Sequence, residues 1–110
     1  MKLPNGESAV VDIVKLREYC LSLEHPRGHH KARVFAAVLG LTADHAEQLR
    51  EALLEAARIS DAKTADQDAY GQRYVIDFIM NGPGGEAQVR SSWIVRTEEV
   101  FPRLTSCYVL

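Results

Sequence analysis

Three adjacent residues, His29, His30 and Lys31, lie in a stretch that also holds His25, Arg27 and Arg33 and no acid. An imidazole titrates near neutral pH and can take and give protons. An ammonium group beside it binds an anion as a point charge. Farther along the chain, Arg73, Arg90 and Arg103 recur with Ser92 and Thr105 in segments that alternate apolar and polar residues. Guanidinium groups bind phosphate through paired N–H donors, and hydroxyls donate to its free oxygens. Together these residue types suit a phosphodiester. Phosphate binding is expected at His29, Lys31, Arg73, Arg90 and Arg103, with an imidazole at hand to move a proton.

The elements that must position these groups follow from the hydrophobic pattern. Asp12 is the expected N-cap of a first helix over "IVKLREYCLSL". Pro26 and Gly28 end it and open a second, from about residue 28 or 29 to Leu39, with Gly40 as its C-terminal stop. Val34, Val38 and Leu41 form one strip of that helix and Phe35 and Leu39 the adjacent one. His30 lies four residues before Val34 and Lys31 four before Phe35, so both fall on or beside the core-facing side. The cations crowd the helix's first turn, where the helix dipole and the free N–H groups favour anions and oppose positive side chains. A bound phosphate would neutralise that repulsion. Thr42 is expected to cap a third helix with Ala46, Leu49, Leu53, Ala56 and Ala57 on its core side. "ISDAKTADQDAYG" is read as a polar loop.

After residue 71 the period changes to two. "QRYVIDFIM", "EAQVRSSWIVR" and "RLTSCYVL" each alternate, and short turns ("NGPGG", "TEEVFP") join them, so an antiparallel meander is expected. The predicted fold class is α+β: three N-terminal helices packed on one face of a three- or four-stranded antiparallel C-terminal sheet, as a single domain over 1–110. Residues 7–11 are the expected source of any fourth strand. With the helices on the face of Tyr74, Ile76, Phe78, Val89 and Trp93, the other face presents Arg73, Asp77, Gln88, Arg90, Ser92, Arg103 and Thr105.

Bulk properties narrow the classes. The net charge of −2 argues against indiscriminate nucleic-acid binding, but the charge is unevenly spread. Residues 25–43 carry three bases and no acid, whereas residues 44–68 carry seven acids against three bases. Zinc-ligand spacing, HExxH, GxGxxG and phosphate-loop patterns are absent from the sequence, so neither metal nor cofactor is expected. Two cysteines without an apolar leader fit a reducing, cytoplasmic setting, with Cys20 and Cys107 as small core residues. No apolar run is long enough to span a membrane. Each chemical reading has a structural rival: Lys31 can lay its stem along the core edge, Arg90 can belong to an ordinary polar sheet face, and Asp77 can pair with an arginine across strands. Trp93 reads as core, Tyr108 as core with its hydroxyl at the rim, and His25 and His45 as turn and cap residues.

The runs "KLREYCLSLEHPRGHHKARVFAAVLGL", "YGQRYVIDF", "VRSSWIVR" and "FPRLTSCYVL" resemble an uncharacterised bacterial family, a domain of unknown function, from Lys15 to Leu110. Helices followed by an antiparallel sheet also resemble, more distantly, the barnase–EndoU–colicin–RelE group of ribonuclease toxins. That resemblance implies RNA cleavage without metal, through the ribose 2′-hydroxyl. It implies His30 as general acid or base, Lys31 and Arg90 on the scissile phosphate, Thr105 orienting it and Tyr108 at the substrate. A regular strand sends Thr105 and Tyr108 to opposite faces, so both can line one site only where the strand bends. The readings to test are an RNA-cleaving toxin domain, a non-enzymatic interaction module paired with a small protein encoded nearby, and a structural homodimer.

Overall fold

The computed structural model describes residues 1–110. Asp12 accepts a hydrogen bond from the Val14 N–H at 2.9 Å and starts the first helix where the sequence predicts it. This helix, α1, is α-helical over Ile13–Lys15 and continues in π form over Leu16–Cys20. The second, α2, behaves alike: α-helical over His29–Val34, π-helical over Phe35–Leu39, and stopped by Gly40 at φ 69°. The third, α3 (Ala46–Ile59), follows a 3-10 turn over Ala43–His45. Thr42 caps this run, as expected, in a reciprocal capping box with His45, whose Nδ1 accepts the Thr42 N–H at 3.0 Å. All five core positions expected on α3 are buried.

The sheet has four antiparallel strands in the order β1-β2-β3-β4: Lys63–Asp68, Gly71–Gly82, Gly85–Arg96 and Pro102–Val109. The three predicted strands are present, and the helices cover the predicted face, where Ile76, Val89 and Trp93 are fully buried. Three expectations need correction. Residues 63–68 are not loop but the fourth strand; every residue of it is exposed, so no apolar alternation could announce it, and backbone pairing to β2, with the Arg73–Asp68 ion pair, holds it. Residues 7–11 do not supply that strand: Gly6–Ser8 form a 3-10 turn, and Val10 makes only an isolated parallel bridge to β4. On α2 the buried strip is Ala32, Phe35 and Leu39, while Val34 and Val38 are exposed.

A fourth difference bears on the site. Ser92 pairs with Ser106 and Trp93 with Leu104, so Thr105 is an extra residue, a bulge, in β4. The bulge breaks the two-residue alternation. Leu104 and Cys107, three apart, are both buried, while Tyr108 is set opposite Arg90 on the other face.

The hairpin β2–β3 is closed by Pro83 and Gly84 and seats against the end of α2. The Gly84 N–H donates to Leu39 O at 2.9 Å, and a Cβ on Gly82 would stand 2.3 Å from that same oxygen. The glycines of "NGPGG" thus serve contact with the helix as well as the turn itself. In the core, Trp93 Nε1 donates to Ser91 Oγ at 2.9 Å, and Ser91 Oγ donates to Ile76 O at 2.9 Å. Ser91 is the only buried polar residue. Replacing it with alanine strands the indole N–H in an apolar interior, so Ser91→Ala should lose about 1–3 kcal/mol in urea unfolding. A loss within measurement error would show the indole finds another acceptor.

Candidate functional site

The loop between α1 and α2 brings the basic stretch to the sheet. His25 Nδ1 accepts the N–H groups of Arg27 and Gly28, both at 3.0 Å. His29 Nδ1 lies 2.8 Å from the His25 carbonyl, to which it can donate, and its ring lies against that of His30, tilted by 40° with centroids 3.9 Å apart. An accepting Nδ1 puts the neutral His25 proton on Nε2. Gly28 is buried against α1: a Cβ there would stand 2.6 Å from Tyr19 O. Only glycine permits this approach, and it sets the start of α2 over the end of β4.

Lys31 reaches β4 from there. Its Nζ lies over the Tyr108 ring, 4.5 Å from the centroid. Tyr108 is Arg90's partner across the strands. Arg90 in turn holds Asp77 with two hydrogen bonds, at 2.8 and 2.9 Å. One row, Asp77–Arg90–Tyr108, therefore crosses β2, β3 and β4 and ends under Lys31. Asp77 and, after it, the Tyr108 hydroxyl raise the Arg90 pKa above the ordinary guanidinium value. Lys15, from α1, donates to Thr105 O at 3.2 Å, where the bulge turns that carbonyl outward, and Thr105 Oγ1 donates to Ser92 O at 3.0 Å. A groove of about 550 Å³ runs between α1 and this part of β4, lined by Lys15, Tyr19, His25, Thr105 and Ser106 with Asp12 and Glu18.

Lys15 and Lys31 differ from the arginines in having no carboxylate within 4.0 Å, whereas Arg73, Arg90 and Arg103 are held by Asp68, Asp77 and Glu99. Beneath the two lysines, Cys20 and Cys107 are free and buried side by side. The Cys107 thiol is pushed well up by its hydrogen bond to Cys20 and by burial.

The structure thus gathers Lys31, Arg90, Thr105 and Tyr108 around the end of β4. His29 is half-buried at the entry to α2, and His30 is exposed on the strip of Val34 and Val38, turned from the core. Arg73 and Arg103 share another row, with Ile94 between them. They stand about 13 Å along the strands from Arg90, four residues away, and lie outside the cluster. Sequence reasoning missed Lys15 and Tyr19, whose helix face is aimed at β4 only by the tertiary packing. It read His25 as a turn residue, which it is, without its place in the groove wall. No group of three histidine, cysteine, aspartate or glutamate side chains is placed to hold a metal ion.

The Arg90 hydrogen bonds hold Asp77 below the usual carboxylate range, against the cost of its partial burial. A depressed folded-state pKa gives stability that is present above the unfolded value, about 3.9, and lost as pH falls through the folded one. Asp77→Asn should therefore be less stable than wild type near neutral pH. The difference should shrink toward zero as pH falls through the depressed folded value, as thermal unfolding across a pH series will read. A gap that persists at low pH would assign the loss to packing instead.

Comparison with known proteins adds family and fold. No curated protein matches the sequence. Among solved structures, a chain of the contact-dependent growth inhibition toxin–immunity protein complex from Klebsiella pneumoniae 342 is similar with a TM-score of 0.71 and 18% identity; the match covers 92% of this chain and 99% of that one. At that identity the likeness concerns the fold, helices followed by an antiparallel sheet. The family model described as "Domain of unknown function (DUF6883)" matches residues 2–110. The resemblance to an uncharacterised family read from the sequence holds, and the chain belongs to this family.

Proposed function

We propose that the chain is an RNA-cleaving toxin domain whose site lies along the end of β4, from the groove beside α1 to Lys31 at the start of α2. The observation that carries this reading is the pair of ammonium groups that lack carboxylate partners: Lys15, which reaches the Thr105 carbonyl, and Lys31, which lies on the Tyr108 ring opposite Arg90. A phosphodiester laid across β4 exchanges water for these cations, and they stabilise the charge that builds on its oxygens during attack. An imidazole from His25, His29 or His30 takes the proton of the ribose 2′-hydroxyl, and that oxygen attacks the adjacent phosphorus. The bond to the 5′-oxygen breaks, and the leaving oxygen is protonated. The products are a 2′,3′-cyclic phosphate and a 5′-hydroxyl. Tyr108 supplies a hydroxyl and a ring face for the substrate, and Thr105 orients the phosphate. Such a domain acts where RNA is, in the cytoplasm. No helix of the chain is long and apolar enough to cross a membrane.

A second reading, a non-enzymatic partner in a two-protein system, has its own support. Three arginines of the open sheet face, Arg73, Arg90 and Arg103, are each neutralised by a carboxylate. The neighbouring fold, moreover, comes from a complex of a toxin with its immunity protein. One experiment separates the two. Total RNA is incubated with the chain in chelator and compared with Lys31→Ala, Tyr108→Phe and the His30→Ala, Lys31→Ala double variant. The nuclease reading expects cyclic-phosphate ends from wild type and losses of about 10²–10⁴-fold in the variants. RNA profiles identical with and without the protein would leave the binding module as the reading.

A further inference from the structure

The opposite edge of the sheet is half covered. Strand β1 pairs with β2 only between Gly71 and Val75, so no strand lies beside β2 from Ile76 to Gly82. Gly82 and Gly85 close a two-residue hairpin and are a hydrogen-bonded pair in such a turn. Alternation from there turns the N–H and C=O groups of Gly82, Met80, Phe78 and Ile76 toward β3. Those of Asp77, Ile79 and Asn81 are left facing the open side. About 20 Å of strand edge is thus free, the length of an ordinary strand.

Exposed edges are usually blunted by charge, proline or a covering element. Here Asp77 is the only charged residue of the open segment, and Arg90 already binds it. Ile79 is 59% exposed. Instead of covering the edge, α3 stands off from it and leaves a groove of about 640 Å³. Ala52, Phe78 and Met80 give the groove an apolar floor, and Glu51 and Glu55 line its helix side, with Arg58 the only base. The segment that supplies α3 and β1, residues 44–68, carries the chain's excess of acid.

We propose that this edge receives an added β-strand from a partner protein, one whose side chains carry lysine or arginine toward α3 and apolar groups into the floor. Main-chain hydrogen bonds to Asp77, Ile79 and Asn81 supply affinity, and the glutamates select the sequence. A second copy of this chain is the poorer occupant, because two-fold pairing of the same edges brings the Glu51 and Glu55 rows of both copies together. The surface lies across the sheet from the lysine cluster, so it stands whether or not that cluster cleaves RNA. A strand bound here leaves that groove open.

The test uses the full chain and a synthetic peptide of about ten residues that alternates valine and lysine. Binding should slow hydrogen exchange at the Asp77, Ile79 and Asn81 amides. The Glu51→Lys, Glu55→Lys double variant should bind at least about tenfold more weakly. Ile79→Pro removes one outward N–H without touching the β3 ladder and should abolish binding; near-UV circular dichroism checks its fold, and the charge-reversal variant tests the same surface without a backbone change. The proposal fails if the peptide does not bind at millimolar concentration, if charge reversal leaves affinity unchanged, or if protection appears along β4. It fails equally if the chain dimerises through this edge in sedimentation.

Discussion

Leu104 and Cys107 are three residues apart and both inside the protein, which a regular strand cannot achieve because successive side chains alternate faces. The extra residue at Thr105 resolves the conflict, and much of the structure depends on it. It lets β4 put Leu104 opposite Trp93 and Cys107 opposite Ser91 on the helix side, then return Tyr108 to the other face opposite Arg90. It also turns the Thr105 carbonyl toward Lys15. Without the bulge, Cys107 and Tyr108 would change places, and either the core or the cluster at the end of β4 would be lost. Bulges favour sheet edges and sites of this kind because they re-aim a side chain at small cost.

The electrostatics divide the cations into two groups. The arginines of the open face meet carboxylates in fork-to-fork geometry: Arg90 with Asp77, Arg103 with Glu99. These are structural pairs that join neighbouring strands or span a turn. Lys15 and Lys31 instead face a backbone carbonyl and an aromatic ring, partners that hold an ammonium without cancelling its charge. That difference explains how positive side chains are tolerated at the first turn of α2. His25 takes the loop N–H groups of Arg27 and Gly28, and Lys31 leaves the helix end to lie on Tyr108.

The two edges of the sheet are finished differently. The β4 edge is bridged by Val10 at Arg103 and then opens beside α1, among Lys15, His25, hydroxyls and the carboxylates of Asp12 and Glu18. The β2 edge is closed by β1 over its first five residues and opens beside α3, between glutamates. The two edges thus give a protein of small net charge two separate surfaces: one of mixed charge beside two carboxylate-free lysines, the other rich in glutamate. The Trp93–Ser91–Ile76 hydrogen bonds and the Gly84–Leu39 contact hold the hairpin between them.

By itself the sequence determined the class of fold, the three helices, the three long strands, the hairpin turn and the face of the sheet that the helices cover. Those features rest on local periodicity and on residues with restricted backbone preferences, such as Asp12, Gly40 and the glycines of "NGPGG". It also allowed Asp77 an arginine partner across the strands, and the register of β2 with β3 made that partner Arg90. Only the tertiary structure decided that residues 63–68 form a strand, since an edge strand exposed on both faces leaves no hydrophobic signature. Only it decided the buried strip of α2, because two adjacent apolar strips differ solely in what packs against them. It decided the bulge too, which is a compromise between β4 and its neighbour and is encoded in neither alone. The cluster of Lys15, Lys31, Arg90, Thr105 and Tyr108 joins residues as distant in the chain as Lys15 and Thr105, ninety apart, and its geometry exists only once the helices lie on the sheet.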